Sequence, residues 1–501
     1  MLDATKNAVF CARWLDRCEA FFLTAAVFLI PLWFLPSAID ALELNKQTLF
    51  ILLTMAALLT WLGRTLLLRR FQFFWSWTHM AILLFGVGFF VASILSEDRY
   101  LSFVGNFGQM QWSFTTLFTF ILFSFLLAQR VKTTAATSNF LLWLLSACVI
   151  AGGIGLLSMT GHLPLSWLSH ITANTFTTIG TMNAFAVFMT IPIVLGMSLI
   201  VFGCADVMNV SRQKDPRKNF FVRTLVFLSI AVGIAVIVVV DFWVTWVTLL
   251  FGAFCTVAIL FVRTRKFFQP VRLILPGILC LLSFALLLWP TPIKLNIPAD
   301  VVPSVSHSWQ ITKQVLHEHP LFGSGPGTWI YDYAKYRSLS ANLSQFWAIR
   351  FENGFSTFFT LIGMAGIVGV SLWLLVLFST FVENIRGLLR QKQEDPWQTK
   401  GVLFIGWVTS AWIGFFFNYA FVHHFAFWFF LALLLSQQTP KVFSWSSESY
   451  RTISKILPVS FFVVAVSVVT VMWLSSQRLA AEVKYAAAMS AFRAGQPIQK
   501  S

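Results

Sequence analysis

Runs of apolar residues long enough to cross a membrane, joined mostly by short connections, leave this chain few ways to fold. A spanning helix needs about 20 mostly apolar residues, and thirteen runs qualify, at roughly 20–36, 48–68, 79–95, 112–128, 139–158, 183–204, 219–240, 242–262, 273–290, 353–381, 401–419, 421–437 and 456–475. The least distinct divisions are a turn at Asp241 and another near Tyr419. Composition agrees, with 58% hydrophobic and 11% charged residues, far from the mixture found in soluble domains. The 55 Phe and 21 Trp suit lipid-facing and interfacial positions. The first run, Ala20–Pro36, lacks a small-residue cleavage site and reads as a retained span. The expected architecture is an all-α polytopic membrane protein of about 13 transmembrane helices with one large extracytoplasmic loop.

The net charge of +16 does not point to nucleic acid, because the basic residues sit in short connections between apolar runs. With the N-terminus inside, 24 of the 35 Lys and Arg fall on the cytoplasmic side, and the short outer connections hold only Lys46 and Arg99. That bias sets the expected orientation as N-terminus inside and C-terminus outside. The six cysteines lie before or within spans and none falls in the long polar loop, so no disulfide framework is implied. Asp241 is the sole acid near a span interior, which argues against an ion-coupled transporter.

Four regions follow. Residues 1–290 form a membrane part of about nine spans, and residues 291–352 an extracytoplasmic loop. Residues 353–475 add about four spans, and residues 476–501 a tail. The loop concentrates the polar and glycine-rich material, as functional loops do. Trp309 opens an amphipathic helix, Gln310–Glu318, with Ile311, Val315 and Leu316 on its apolar side. The helix stops at His319-Pro320, and Gly323-Ser324-Gly325-Pro326-Gly327 then forces tight turns that let a backbone approach a ligand closely. In the tail, Leu479–Gly495 is rich in helix formers and ends on a glycine.

The order of these residues resembles the O-antigen ligase and polysaccharide polymerase family of bacterial membrane enzymes, most specifically over Trp309–Gly369. Trp309 stands ten residues before His319, the His-Pro-Leu-Phe-Gly turn follows, and Trp329 comes after it. Downstream, Glu352-Asn353 precedes an apolar run and Gly363-Met364-Ala365-Gly366 at the family spacing, and Gly180-Thr181-Met182-Asn183 is a weaker echo. Charged residues depart from the pattern. The family's functional His falls on Glu352, and the Arg four residues before the Trp falls on Val305. An acid within the apolar run falls on Leu361, and an Arg of a preceding span is replaced around Asp241-Phe242-Trp243. In the tail, Tyr485, Ala488, Ala491 and Gly495 resemble the first helix of a tetratricopeptide repeat, which would offer a surface to protein partners.

The resemblance implies transfer of a polyprenyl-pyrophosphate-linked glycan to a sugar or lipid acceptor at the outer face of a bacterial inner membrane, with no cofactor and no metal. Such a reaction needs a base for the acceptor hydroxyl and cations for the departing phosphate. Glu352 is the candidate base, and Arg350, Lys335 and Arg337 are candidate pyrophosphate ligands. By position in the motifs, Trp309, His319, Gly325 and Asn353 join the substrate-binding set. The structural alternative makes Arg350 and Glu352 an interfacial pair at a span end. His307, His317 and His319 have no acid at a characteristic metal-ligand spacing, and His317 and His319 read as a helix end rather than a zinc site. His423-His424 reads as an interfacial turn, and Asn183 and Asn418 as packing residues. A second reading follows from the missing His and Arg: a catalytically degenerate relative that binds glycolipid or protein partners as a membrane scaffold.

Overall fold

The computed structural model describes residues 2–68, 70–105, 110–162, 176–208, 216–264, 269–289, 291, 300–343, 345–390, 397–438, 441–446 and 451–493. Helices α1 (Leu2–Leu29), α2 (Glu43–Leu68), α3 (Trp77–Ile94), the short α4 (Arg99–Val104), α5 (Phe114–Arg130) and α6 (Thr134–Met159) come first. They are followed by α7 (Met182–Phe202), the one-turn α8 (Cys204–Val207), α9 (Pro216–Val240), α10 (Trp243–Thr264) and α11 (Ile274–Leu288). The polar loop contributes α12 (Val305–Glu318), α13 (Trp329–Tyr336) and α14 (Leu339–Asn342). Helices α15 (Thr357–Arg390), α16 (Trp397–Phe416), α17 (Phe421–Ser436) and α18 (Arg451–Arg493) complete the chain. Among the described residues, ten helices are long and apolar enough to cross a membrane, and α5 and α17 are apolar but shorter. The chain is therefore a polytopic, helical membrane protein.

One feature departs from the all-helical expectation. Strands β1 (Arg70–Trp75) and β2 (Lys441–Ser446) pair antiparallel, with Arg70 opposite Ser446 and Trp75 opposite Lys441. The ribbon joins the connection after α2 to the one after α17. The expected divisions at Asp241 and Tyr419 are real turns, between α9 and α10 and between α16 and α17. Asp241 has φ 49°, and its carboxylate accepts from Trp246 Nε1 and from the Thr291 backbone N–H, both at 2.9 Å. The tail is not a separate helix: span and tail form the single 43-residue α18. The glycine stop at Gly495 lies outside the described residues.

Helix α7 is the axis of the bundle, apolar on every side and buried over 94% of its most apolar stretch. Close packing there depends on missing side chains. A Cβ on Gly196 would meet Ile230 at 2.7 Å, and one on Gly233 would meet Ile193 at 2.5 Å, the small-residue contact that brings membrane helices together. Polar contacts sort the connections into two ends. At one end Arg64 pairs with Glu19 at 3.0 Å, Arg130 with Asp16 at 2.5 Å, and Arg263 donates to the Leu388 carbonyl at 3.0 Å. At the other, Lys46 donates to the Thr178 carbonyl, Trp112 to Asn353, and the Thr357 N–H to the Phe417 carbonyl.

Helix α15 is broken at Gly366, where φ is 63° and ψ −165°. The break strips helical partners from the surrounding backbone, and the glycine-rich turn supplies them. The N–H groups of Ser324 and Gly325 donate to the carbonyls of Gly363 and Met364 at 3.2 and 3.0 Å. In return the N–H groups of Ile367 and Val368 donate to the carbonyls of Pro320 and Leu321 at 3.1 and 3.0 Å. The two chains come so close that a Cβ on Gly323 would strike the Gly363 carbonyl, and one on Gly366 the Leu321 carbonyl. Both residues also have positive φ. Gly323→Ala and Gly366→Ala should each cost roughly 2–4 kcal/mol, read as a lowered thermal midpoint in detergent. Gly153→Ala is the contrast, since a Cβ there meets nothing within 4 Å and the change should be neutral or stabilising by up to about 1 kcal/mol.

Candidate functional site

The loop is built on α12 and the clasp to α15. Ser304 caps α12 by accepting from the His307 N–H at 3.2 Å, so the helix starts at Val305, earlier than its apolar positions indicate. Ile311 and Val315 are fully buried, and Ser308 Oγ accepts from the Phe355 N–H at 2.9 Å. After the turn, Trp329 is fully buried against two glycines of the next segment: a Cβ on Gly354 would meet its ring at 3.0 Å and one on Gly363 at 2.8 Å. Tyr333 packs edge-on against Phe351, ring centroids 5.2 Å apart. These contacts hold the stretch carrying Glu352 and Asn353 under α12 and α13.

The turn itself is closed around a buried acid. Ser324 Oγ donates to Asp332 Oδ2 at 2.6 Å and shares a 2.6 Å bond with Thr328 Oγ1. Ser102 Oγ donates to the Pro326 carbonyl at 2.7 Å, and the Glu97 N–H to the Ser324 carbonyl at 3.0 Å. A Cβ on Gly325 would run into Ser96. The close approach that the glycines permit is thus an approach of the chain to itself, and Gly325 sits in that packing rather than in an open cradle.

The remaining candidates separate into two groups. Lys335 pairs with Glu318 at 2.5 Å, which raises its pKa, and lies 4.9 Å from the Tyr336 ring. Arg337 Nη1 donates to the Trp347 carbonyl at 3.0 Å. His319 faces Glu97 at 3.4 Å. Lys335 and Arg337 tie the loop together, and His319 meets the connection between α3 and α4. Trp309 is half-exposed, with its ring edge toward Phe359 at 6.4 Å. Arg350 is exposed and forms no ion pair among the described residues.

Glu352 and Asn353 lie against the end of the helical bundle. Asn353 Oδ1 accepts from Trp112 Nε1 at 2.9 Å. Glu352 is half-buried, and burial together with the nearby Asp40 carboxylate raises its pKa above the ordinary range. Around it is a polar group that the apolar pattern concealed. Asp40 caps α2, accepting from the N–H groups of Leu42, Glu43 and Leu44 at 2.9, 2.8 and 3.0 Å. Glu43 lies within electrostatic reach of both Asp40 and Glu352. Lys46, only 1% exposed, donates to the Thr178 carbonyl at 2.5 Å. It belongs to α2 and not to a connecting loop. The available signal was the polar run Glu43, Asn45, Lys46 and Gln47 at the head of an apolar segment.

Behind Asn353 is an aromatic chamber. His423 and His424 are not an interfacial turn: they open α17, and His423 is 1% exposed. The His424 ring stands edge-on to Trp112 at 5.0 Å and to Tyr419 at 4.9 Å. Together with Gln111, Phe120 and Trp428 they line a cavity of about 30 Å³, enough for a water or two.

No family model and no curated protein matches the chain. Glu352, a half-buried carboxyl with a raised pKa beside the Asp40 and Glu43 carboxyls, is a group able to take and return a proton.

Asp332 offers a separate test of the loop. Burial pushes it up to about 7, against the Ser324 hydrogen bond that lowers it. For an acid with a raised folded pKa, stability is full below the unfolded value near 4 and is lost as pH rises through about 7. Asp332→Asn keeps an acceptor for Ser324 Oγ and removes the charge. Thermal midpoints measured between pH 5 and 8 should fall in the wild type and stay nearly flat in the variant.

Proposed function

We propose that this protein is a membrane glycosyltransferase of the O-antigen ligase and polysaccharide polymerase kind. It transfers a glycan from a polyprenyl-pyrophosphate carrier to a sugar or lipid acceptor. In this reading α1, α5 and α17 join the ten longer helices to give thirteen spans. The N-terminus then lies inside a bacterial inner membrane, and the loop with its clasp lies outside. The carrying observation is Glu352: it stands where that family has its functional His, half-buried, with a raised pKa, beside Asp40 and Glu43 at the bundle end. A raised pKa makes a stronger base once the group is ionised, as removal of an acceptor hydroxyl proton requires. Arg350, exposed two residues away and in no ion pair among the described residues, offers its guanidinium to a pyrophosphate.

One observation favours the scaffold reading. Lys335 and Arg337, the other two candidate cations, are already engaged by Glu318 and the Trp347 carbonyl, which leaves Arg350 alone of the three without such a partner among the described residues. Glycan transfer by purified protein separates the readings. Glu352→Gln should lower the transfer rate about 100-fold or more, and Arg350→Ala about tenfold. The wild-type rate should rise with pH through a limb above the ordinary carboxylate range, and Glu352→Gln should lose that limb. Equal rates in wild type and both variants would remove Glu352 and Arg350 from the site. Absence of transfer with every lipid-linked donor, alongside specific partner binding, would select the scaffold.

A further inference from the structure

On the flank of the bundle, α18 leaves α2 between two points of attachment. At the lower point, Val468 packs on Ile51 and Met55. At the upper point, Arg478 donates through Nη1 to the Val104 carbonyl at 2.8 Å and through Nη2 to the Gly105 carbonyl at 2.9 Å. These residues are ten apart, about 15 Å of helix. Between them is a cavity of about 160 Å³, room for on the order of ten water-sized groups. Its walls include Gln47, Thr48 and Ile51 of α2, Thr115 of α5, and Ser475 and Arg478 of α18. Helix α18 is otherwise almost bare, with 6% of its most apolar stretch buried, so the cleft opens onto a surface that lipid would cover.

The walls grade from polar to apolar along α18. Arg478, Ser475, Thr48 and Thr115 bring polar groups to one end, among the apolar Leu474 and Val104, while Ile51 and Val471 close the other. An anionic headgroup on an apolar chain matches that gradient. Nη2 also donates to Met110 Sδ at 3.5 Å, which leaves Nε and the second Nη1 hydrogen of Arg478 to meet phosphate oxygens. Two acids lie within electrostatic reach of Arg478. Asp40 spends its oxygens on the α2 N-terminus, where the helix dipole offsets its charge. Glu482, one turn further along α18, opposes an anion directly.

We propose that the cleft between α2, α5 and α18 binds the phosphate-bearing headgroup of a membrane lipid, with its chain along the bare groove beside α18. It is the waiting site of the isoprenoid-pyrophosphate donor, and that naming of the lipid rests on the transfer reading above. Gln47 and Thr48 in its wall directly follow Lys46 on α2, and Asp40 is within reach of both Arg478 and Glu352. One acid thus lies within reach of both the cation of the cleft and the candidate base.

The test measures binding apart from transfer. Full-length protein in nanodiscs of uncharged lipid is titrated with labelled geranylgeranyl pyrophosphate, against inorganic pyrophosphate and phosphatidylglycerol as competitors. Ser475→Trp, which fills the cavity without touching a described hydrogen bond, and Arg478→Gln should each weaken binding about tenfold or more. Glu482→Gln should tighten it. Inorganic pyrophosphate should compete only weakly, because it lacks the chain. Equal competition by phosphatidylglycerol would keep the lipid-phosphate site and overturn the donor assignment. Unchanged affinity in Ser475→Trp, or no binding of either lipid by the wild type, would overturn the site itself. Where Arg478→Gln lowers the thermal midpoint, Ser475→Trp decides. Binding that follows these variants in a protein with no transfer activity would refute the transfer reading and leave the site standing.

Discussion

A broken helix inside an apolar bundle has to find partners for its freed backbone groups, and the rest of the loop depends on how this chain meets that need. At Gly366 the carbonyls of Gly363 and Met364 and the N–H groups of Ile367 and Val368 lose their helical partners. Each unpaired group in such surroundings would cost several kcal/mol. The turn at 320–325 meets all four, and can do so only because neither Gly323 nor Gly366 has a side chain. The loop is therefore a component of the membrane part, and a disturbance at either glycine reaches both. Through Trp329, seated on Gly354 and Gly363, the same clasp sets the position of Glu352 and Asn353.

The second constraint is charge. Asp40, Glu43 and Glu352 gather at the bundle end, with the buried Lys46 within reach of the first two. Such a group survives only with specific compensation. Asp40 has three backbone N–H donors and the positive end of α2, and Lys46 has the Thr178 carbonyl as well as its acidic neighbours. Burial is the first cause of the raised Glu352 pKa, and the Asp40 carboxylate adds to it.

Much of the fold was legible in the apolar runs, since length and hydropathy alone decide where a helix can cross a membrane. The turn at Asp241 was legible because a lone acid between apolar segments needs the hydrogen bonds that only a chain reversal brings. The purpose of the glycine turn was not legible. Its partner lies some 40 residues away at Gly363 and Gly366, and the same glycines serve a ligand cradle or a backbone clasp equally well. Lys335 and Arg337 read as free cations because Glu318 and the Trp347 carbonyl meet them only after α12 and α13 have folded together. His423-His424 read as exposed because α17 is only 16 residues long and begins directly after the turn. Lys46 was hidden by the opposite effect: an apolar run marks a span but not where its polar head is buried. The ribbon of β1 and β2 escaped because its strands are separated by most of the chain.

The continuity of α18 joins these constraints. A helix of 43 residues is about 65 Å long, more than a hydrocarbon core requires, so its distal part must stand clear of the bundle. Such a helix resists bending except where its hydrogen-bond ladder is interrupted. Its attachments at Val468 and Arg478 then fix the width of the cleft between them. The upper attachment is made to the carbonyls that end α4, and α4 belongs to the same corner whose Ser102 holds the Pro326 carbonyl of the turn. The flank cleft and the loop clasp thus share one support.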